Sequence, residues 1–476
     1  MKTRQTKSAE GAESKAKLRK RTGESSPPDR KDGETSKEAP VKSAAVQKRG
    51  GYGSILHYIY RSTLGQSLHF QMRQCLQEPF VRSLSSYRFH GATSPFNRRI
   101  TCLEWHPTHP TTLAMGSKGG DIYLWDFEAP AKKVFLQGMG VGDSVTDMKF
   151  NKLNHTQLFT TSMRGVTALR DFNGTTLTLF AYTDILNCWY CCVDVSVSRQ
   201  MLVTGDNVGQ LILLGLDGQK IFSAKLHKAK VTHAEFNSCC DWLLSTASVD
   251  HTVKLWDLRN IKDKKSFLHE MPHERAVNSA YFNPLDCSKL LTTDQYDQIR
   301  VYSSPDWSKP HHIIRHPHRQ FQHLTPIKAT WHPVYDLIVA GRYPDDRVCT
   351  GDQRTIDVFD ANTAELVCQL QDPSATGIKS INKFNPMGDV IGSGMGVTVL
   401  VWNRDKSLNG DQPEAQEETS TSVDGLGGRQ RSRPRSSRDR RAPAVDAKLK
   451  KKLASLEELE TKTEYTKQKP TRMRKK

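Results

Sequence analysis

The chain has 476 residues, a formal charge of +18 and only 36% hydrophobic residues, enough for one large domain or two to three ordinary ones. No apolar run approaches membrane-spanning length and none follows Met1, so neither a membrane anchor nor a secretory signal is expected. The ten cysteines are scattered, with adjacent pairs at Cys191–Cys192 and Cys239–Cys240, which argues against a disulfide framework and for a reducing compartment.

Residues 1–50 carry 14 Lys/Arg against 7 Asp/Glu and few large apolar side chains. They cannot bury enough surface to offset ordering, so a disordered basic tail is expected. Within residues 51–90, Ile55 and Ile59 and then, after Gly65, Leu68, Met72, Leu76, Phe80 and Leu84 fall at helical spacings. The pattern predicts helix–loop–helix, packed either on its own body or in a partner's groove.

From 91 to 404 the chain repeats itself. ITCLEWHPTHPTTLAMGSKGGDIYLWDF (100–127) and VTHAEFNSCCDWLLSTASVDHTVKLWDL (231–258) share one frame of three strands closing on Trp-Asp. The frame recurs at 144–172, 186–216, 276–304, 326–360 and 377–404. Seven units at a spacing of roughly 40–50 residues, rich in period-2 alternation, predict an all-β fold, a seven-bladed WD40 propeller. Residues 405–476 read as a second disordered basic tail, since 404–476 hold 20 Lys/Arg and 12 Asp/Glu. In that tail 448–462 has leucines spaced for a short amphipathic helix. The tails hold most of the net charge, so the charge alone does not define a binding surface on the body. Lys17–Arg21 and Arg472–Lys476 are candidate import signals, which makes the nucleus the expected location.

In a propeller of this type the turns between second and third strands share a face with the links between blades. Phe321, in HPHRQFQHLT (316–325), falls in the link before the sixth unit. Arg98, Arg99, Lys118, Arg164, Lys228, Lys230, Arg319 and Arg342 fall on the same face. Spaced cations suit duplex phosphates, and an aromatic tip beside Gln322 and His323 suits a wedge that fills the gap left by an extruded base. The competing reading packs Phe321 back onto its own blade.

Arg259, in Trp256-Asp257-Leu258-Arg259, falls on the opposite face and could pair within its blade. Cys188-Trp-Tyr-Cys191 lacks a second matching pair, and the histidines at 311, 312, 316, 318 and 323 lack carboxylates at ligand spacing. No nucleophile–base constellation or phosphate loop is found, so no enzyme activity, cofactor, metal or small-molecule substrate is expected.

Several tracts resemble the small-subunit family of UV-damaged-DNA-binding factors: RHPHRQFQHLTPIKATWHP, PFNRRITCLEWHPTHP, GSKGGDIYLWDF, VTGDNVGQLILL and CCDWLLSTASVDHTVKLWDLR. The resemblance spans about residues 54–403 and adds WD40 substrate receptors of cullin–RING ubiquitin ligases as the class. It implies that Phe321, Gln322 and His323 insert at a lesion and start nucleotide excision repair. It implies that Arg98, Arg99, Lys118, Lys230 and Arg319 hold the DNA backbone. It also implies that Arg259 and the apolar stripe Ile55, Ile59, Leu68, Met72, Leu76 and Phe80 face a large multi-propeller ligase adaptor. Damaged duplex DNA and nucleosomes would be the partners. The alternative is a receptor for a protein substrate, with non-specific nucleic-acid binding through the tails.

Overall fold

The computed structural model describes Ile59 and residues 69–185, 187–344 and 353–404. Ile55, Leu68, both tails and the 448–462 segment lie outside the described residues. Among the described elements a helix, α1 (His69–Leu84), comes first, followed by β1 (Tyr87–Thr93). The first blade is β2 (Ile100–Trp105), β3 (Thr112–Ser117), β4 (Ile122–Asp126) and β5 (Lys133–Leu136). The second is β6 (Val145–Phe150), β7 (Gln157–Ser162), β8 (Val166–Asp171) and β9 (Thr176–Tyr182). The third is β10 (Tyr190–Ser196), β11 (Met201–Asp206), β12 (Gln210–Gly215) and β13 (Lys220–Lys225). The fourth is β14 (Val231–Phe236), β15 (Leu243–Ser248), β16 (Thr252–Asp257) and β17 (Phe267–Pro272). The fifth is β18 (Val277–Phe282), β19 (Lys289–Asp294), β20 (Gln298–Ser303) and β21 (His312–Arg315). The sixth is β22 (Thr330–Trp331), β23 (Leu337–Gly341), β24 (Ile356–Asp360) and β25 (Leu366–Leu370). The seventh has β26 (Lys379–Phe384), β27 (Val390–Met395) and β28 (Thr398–Arg404), and β1 is its fourth strand.

The seven-bladed propeller expected from the repeats is therefore the fold. Its closure falls across the boundary placed at residue 90. β1 pairs antiparallel with β28 from Tyr87↔Arg404 to Thr93↔Val399. Second strands are buried throughout, as in β15, whereas the outer β13 alternates between exposed and half-buried positions. Seven apolar clusters fill the spaces in and between blades, one of them running from Leu84 and Tyr87 to Trp402.

Polar stitches between inner strands set the ring. Most first strands carry a bulge at their second residue. That residue's side chain then bonds the next blade. Thr101 donates to the Val145 carbonyl at 2.5 Å, Thr146 to Tyr190 at 2.8 Å and Thr232 to Val277 at 2.7 Å. Further along the strands, Asp147, Asp194 and Glu235 accept the N–H groups of Val193, Phe236 and Phe282. Within the fourth blade, Asp250, His227, Thr246 and Trp256 form one hydrogen-bonded chain at 2.7–3.0 Å.

Helix α1 lies on the face of the first-to-second-strand turns. Arg73 pairs with buried Asp336 at 3.1 Å, and Asp336 also faces Lys289 at 3.2 Å and accepts from Asn283 at 2.9 Å. Gln77 donates to Asp360 at 2.8 Å. Phe80 sits against His332 (ring centroids 4.7 Å apart) and Tyr335 (5.0 Å).

Burial pushes His106, His273, His316 and His332 down to about 4, and His233 well below its usual value. Each is neutral in the folded state, so the unfolded chain takes up protons first as pH falls below about 6.5. Stability is therefore lost between pH 6.5 and 4, roughly 1–2 kcal/mol per histidine at pH 5. Burial raises Asp194 and Glu235, which act in the opposite sense, but two acids oppose five histidines. Urea midpoints measured from pH 7.5 to 5 are expected to fall steeply; a flat profile would contradict this balance.

Candidate nucleic-acid interface

The strand order assigns every loop to a face. The link between β21 and β22 emerges with the turns after β3, β7, β11, β15 and β19. Its root is clamped. His318 Nε2 lies 3.1 Å from Asp294, His316 Nδ1 lies 3.1 Å from His318 Nδ1, and His316 Nε2 lies 3.5 Å from Asp357. His316 and His318 thus face the blade itself. Among the described residues no group of His, Cys, Asp and Glu is arranged to hold a metal. Gln320 fixes the turn, its N–H bonding the Gln295 carbonyl at 2.8 Å and its side-chain amide the Phe321 carbonyl at 3.2 Å.

At the tip Phe321, Gln322 and His323 are all exposed. Phe321 keeps 42% of its surface in solvent and belongs to none of the apolar clusters. Its ring meets the His323 ring edge-on at 5.7 Å. Beyond the tip Thr325 donates to the Ile100 carbonyl at 2.5 Å, across a sequence gap of 225 residues. The link therefore leans over the channel mouth to the first blade, beside Arg98 and Arg99.

The cations gather there. The Lys118 N–H bonds the Arg99 carbonyl at 2.9 Å. The Arg99 guanidinium, then burial, then Arg98 pull the Lys118 ammonium below its usual range. Arg99 Nε is buried without a hydrogen-bond partner. Arg99, Lys230, Lys328, Trp189, Gln320 and Gln322 line one cavity of about 330 Å³ at the channel mouth. Arg319 lies over the Tyr343 ring at 6.0 Å, while Arg98, Arg164 and Lys228 are exposed on the same face. Arg342 faces inward, 3.4 Å from Asp357. Like charges held this close repel, and phosphate oxygens would relieve the repulsion.

Trp189 and Lys328 were not singled out by sequence. Trp189 stood inside the Cys188–Cys191 pair, which drew the eye to sulfur. The usable signal was its place just ahead of an inner strand, where links reach the channel mouth. The cysteines themselves are apart in role: Cys191 is buried, and Cys188 directs its thiol to Asp206 at 3.9 Å.

The opposite face carries Arg259. Its Nε and Nη2 each donate to Asp257 at 2.9 Å, and its guanidinium lies 4.3 Å from the Trp242 ring. The arginine pairs within its own blade and still leaves 56% of its side chain exposed. Of the apolar stripe, Ile59 (50% exposed) and Leu76 (44%) face solvent, Met72 is half-buried, and Phe80 is committed to the propeller.

A seven-bladed ring of four-stranded sheets, with a basic channel mouth on one face, defines a WD40-repeat propeller protein. The family model for the WD domain, G-beta repeat, matches residues 82–126 and 218–257, the two units that keep Trp-Asp. The chain is 64% identical to DNA damage-binding protein 2 of Danio rerio over 89% of this chain and 86% of the relative. It is 54% identical to DNA damage-binding protein 2 of Gallus gallus over 87% and 83%. It is 33% identical to Protein DAMAGED DNA-BINDING 2 of Arabidopsis thaliana over 64% and 58%. The chain belongs to the DNA damage-binding protein 2 family.

Removing one phosphate-binding cation should lower the slope of log affinity against log salt by about 1. Single alanine substitutions of Arg98, Arg99, Lys118 and Lys230 are expected to do so in duplex-binding titrations, with Arg259→Ala leaving the slope unchanged. Four unchanged slopes would remove these residues from the interface.

Proposed function

We propose that the chain is a non-catalytic nuclear sensor of damaged duplex DNA that starts nucleotide excision repair and serves as a substrate receptor for a cullin–RING ubiquitin ligase. The observation that carries the reading is the exposed Phe321–Gln322–His323 tip, on a clamped link that leans over a cation-lined mouth. The names of the relatives, which specify damaged DNA, supply the ligand class.

Arg98, Arg99, Lys118, Lys230 and Arg319 hold the two backbones at the rim. Phe321 enters the base stack, and Gln322 and His323 offer hydrogen bonds to the orphaned edges. Unstacking costs a few kcal/mol, least where the duplex is already damaged. The wedge therefore selects weak duplex over any sequence, on free DNA or a nucleosome. Gln322 also lines the cavity of Trp189 and Lys230, which gives an extruded nucleotide an aromatic surface and a cation.

On the far side, Arg259 stacked on Trp242 and the exposed Ile59 and Leu76 supply a polar contact and apolar anchors for a large multi-propeller adaptor. Phe80 would act there indirectly, by seating α1. The two ends of the channel thus divide the work, lesion above and ligase below.

Competition binding of UV-irradiated against intact duplex at physiological salt, with wild type and Phe321→Ala/Gln322→Ala/His323→Ala, tests the sensor. Strong lesion preference is expected, falling to near parity in the triple variant while salt-dependent affinity persists. Equal wild-type affinity for both duplexes would favour a receptor for a protein substrate, with the tails as the DNA binders.

A further inference from the structure

On the face opposite the wedge, two cysteines from neighbouring blades meet. Cys239 lies in the turn between β14 and β15, and Cys287 in the equivalent turn between β18 and β19. Cys239 is exposed and Cys287 is buried. The Cys239 side chain faces the turn that carries Cys287, across the boundary between the two blades. Ser238 Oγ lies 3.2 Å from Cys287 Sγ, and the Cys239 thiol reaches the Leu285 carbonyl at 3.9 Å. Cys287 has φ of +53°, a left-handed backbone that few non-glycine residues adopt. The chain holds it there through the Cys287 N–H to Asn283 carbonyl bond at 3.0 Å.

We propose that Cys239 and Cys287 are a thiol pair that hydroperoxides convert to a reversible disulfide, joining the fourth and fifth blades. The division of labour follows from burial. Cys239 is open to solvent, so an oxidant of peroxide size reaches it directly. Its sulfur attacks one peroxide oxygen, the O–O bond breaks, and the departing hydroxide takes the thiol proton as water. Cys239 is then a sulfenic acid. The Cys287 sulfur attacks that sulfenyl sulfur, the S–S bond forms and the S–O bond breaks. The leaving hydroxide takes the second thiol proton. In sum two thiols lose two electrons and one peroxide becomes two waters.

Cys287 is built for the second step. Burial raises its thiol, so it rests protonated and does not compete for oxidant. The Ser238 hydroxyl lies against its sulfur and stabilises the thiolate as it forms. Cys240, the neighbour in sequence, packs with Trp242 against the apolar cluster of the fourth and fifth blades, of which Cys287 is itself a member.

The bond would fasten the turn that also carries Asp241, which pairs with Arg199 at 2.9 Å, and Trp242, which supports Arg259. Oxidation would therefore stiffen the ground beneath the Arg259 clamp.

The test is peptide mapping of the full chain after hydrogen peroxide, quenching with a maleimide and digestion without reductant. The expected product is a Cys239–Cys287 linked peptide, with free thiol consumed at both positions together and restored by dithiothreitol. Cys240→Ser should retain the link, and Cys287→Ser should stop Cys239 at a sulfenic acid that dimedone traps. The proposal is overturned if Cys287 stays fully alkylatable while Cys239 is oxidised, whether to sulfinic acid, to a bond with Cys240 or to a bond with a second chain. Because the wild-type map decides the matter, a misfolded variant does not.

Discussion

The pairing of β1 with β28 is the constraint on which the other features rest. Six blades are built from consecutive strands, but the seventh needs a strand from the other side of the ring. Tyr87–Thr93 supplies it, with Phe89 packed on Trp402 and the Tyr87 hydroxyl bonded to the Asp389 carbonyl at 2.8 Å. Closure completes the seventh four-stranded blade, leaves only short outer edges and fixes which loops share a face. Because β1 leads straight into Arg98 and Arg99, the same pairing delivers two cations to the channel mouth. Because α1 ends only a few residues earlier, it also seats the helix over the opposite face.

Around that ring, hydroxyl and carboxylate stitches hold neighbouring inner strands in register, and they are what makes a tilted link useful. A loop tip bearing an exposed aromatic has no fixed direction unless both ends are held. Here one end is tied through His318 to Asp294 and the other through Thr325 to Ile100. The fold itself orders the link, which would lower the cost of the insertion proposed above. The rim cations are placed in the same way, with the Lys118 N–H bonded to the Arg99 carbonyl.

The repeats were readable because a half-buried strand alternates with period two and seven units return at a near-constant spacing. The closing strand was not, because an outer strand with one partner has only a weak pattern; β1 reads YRFHGAT, and it fell across the boundary drawn at residue 90. Phe321 stood out as one apolar residue in a polar tract, and it is exposed. His316 and His318 lack carboxylates at local spacing, because their partners Asp357 and Asp294 come from other strands. The Thr325–Ile100 bond joins residues that sequence alone could not place together. Arg259 shows a different limit: pairing within the blade and display to solvent were posed as alternatives, and the side chain does both. Phe80 sat on the same helical stripe as Leu76, yet Phe80 packs against the propeller while Leu76 is exposed.

The central claim is that Phe321 enters the base stack. A duplex with 2-aminopurine opposite a single UV photoproduct reports this directly, since the base brightens when it is unstacked. Saturating wild-type protein should raise the emission several-fold, and Phe321→Ala at matched occupancy should leave it near the level of free duplex. Emission unchanged by saturating wild-type protein, or raised equally by the variant, would show that the tip does not insert.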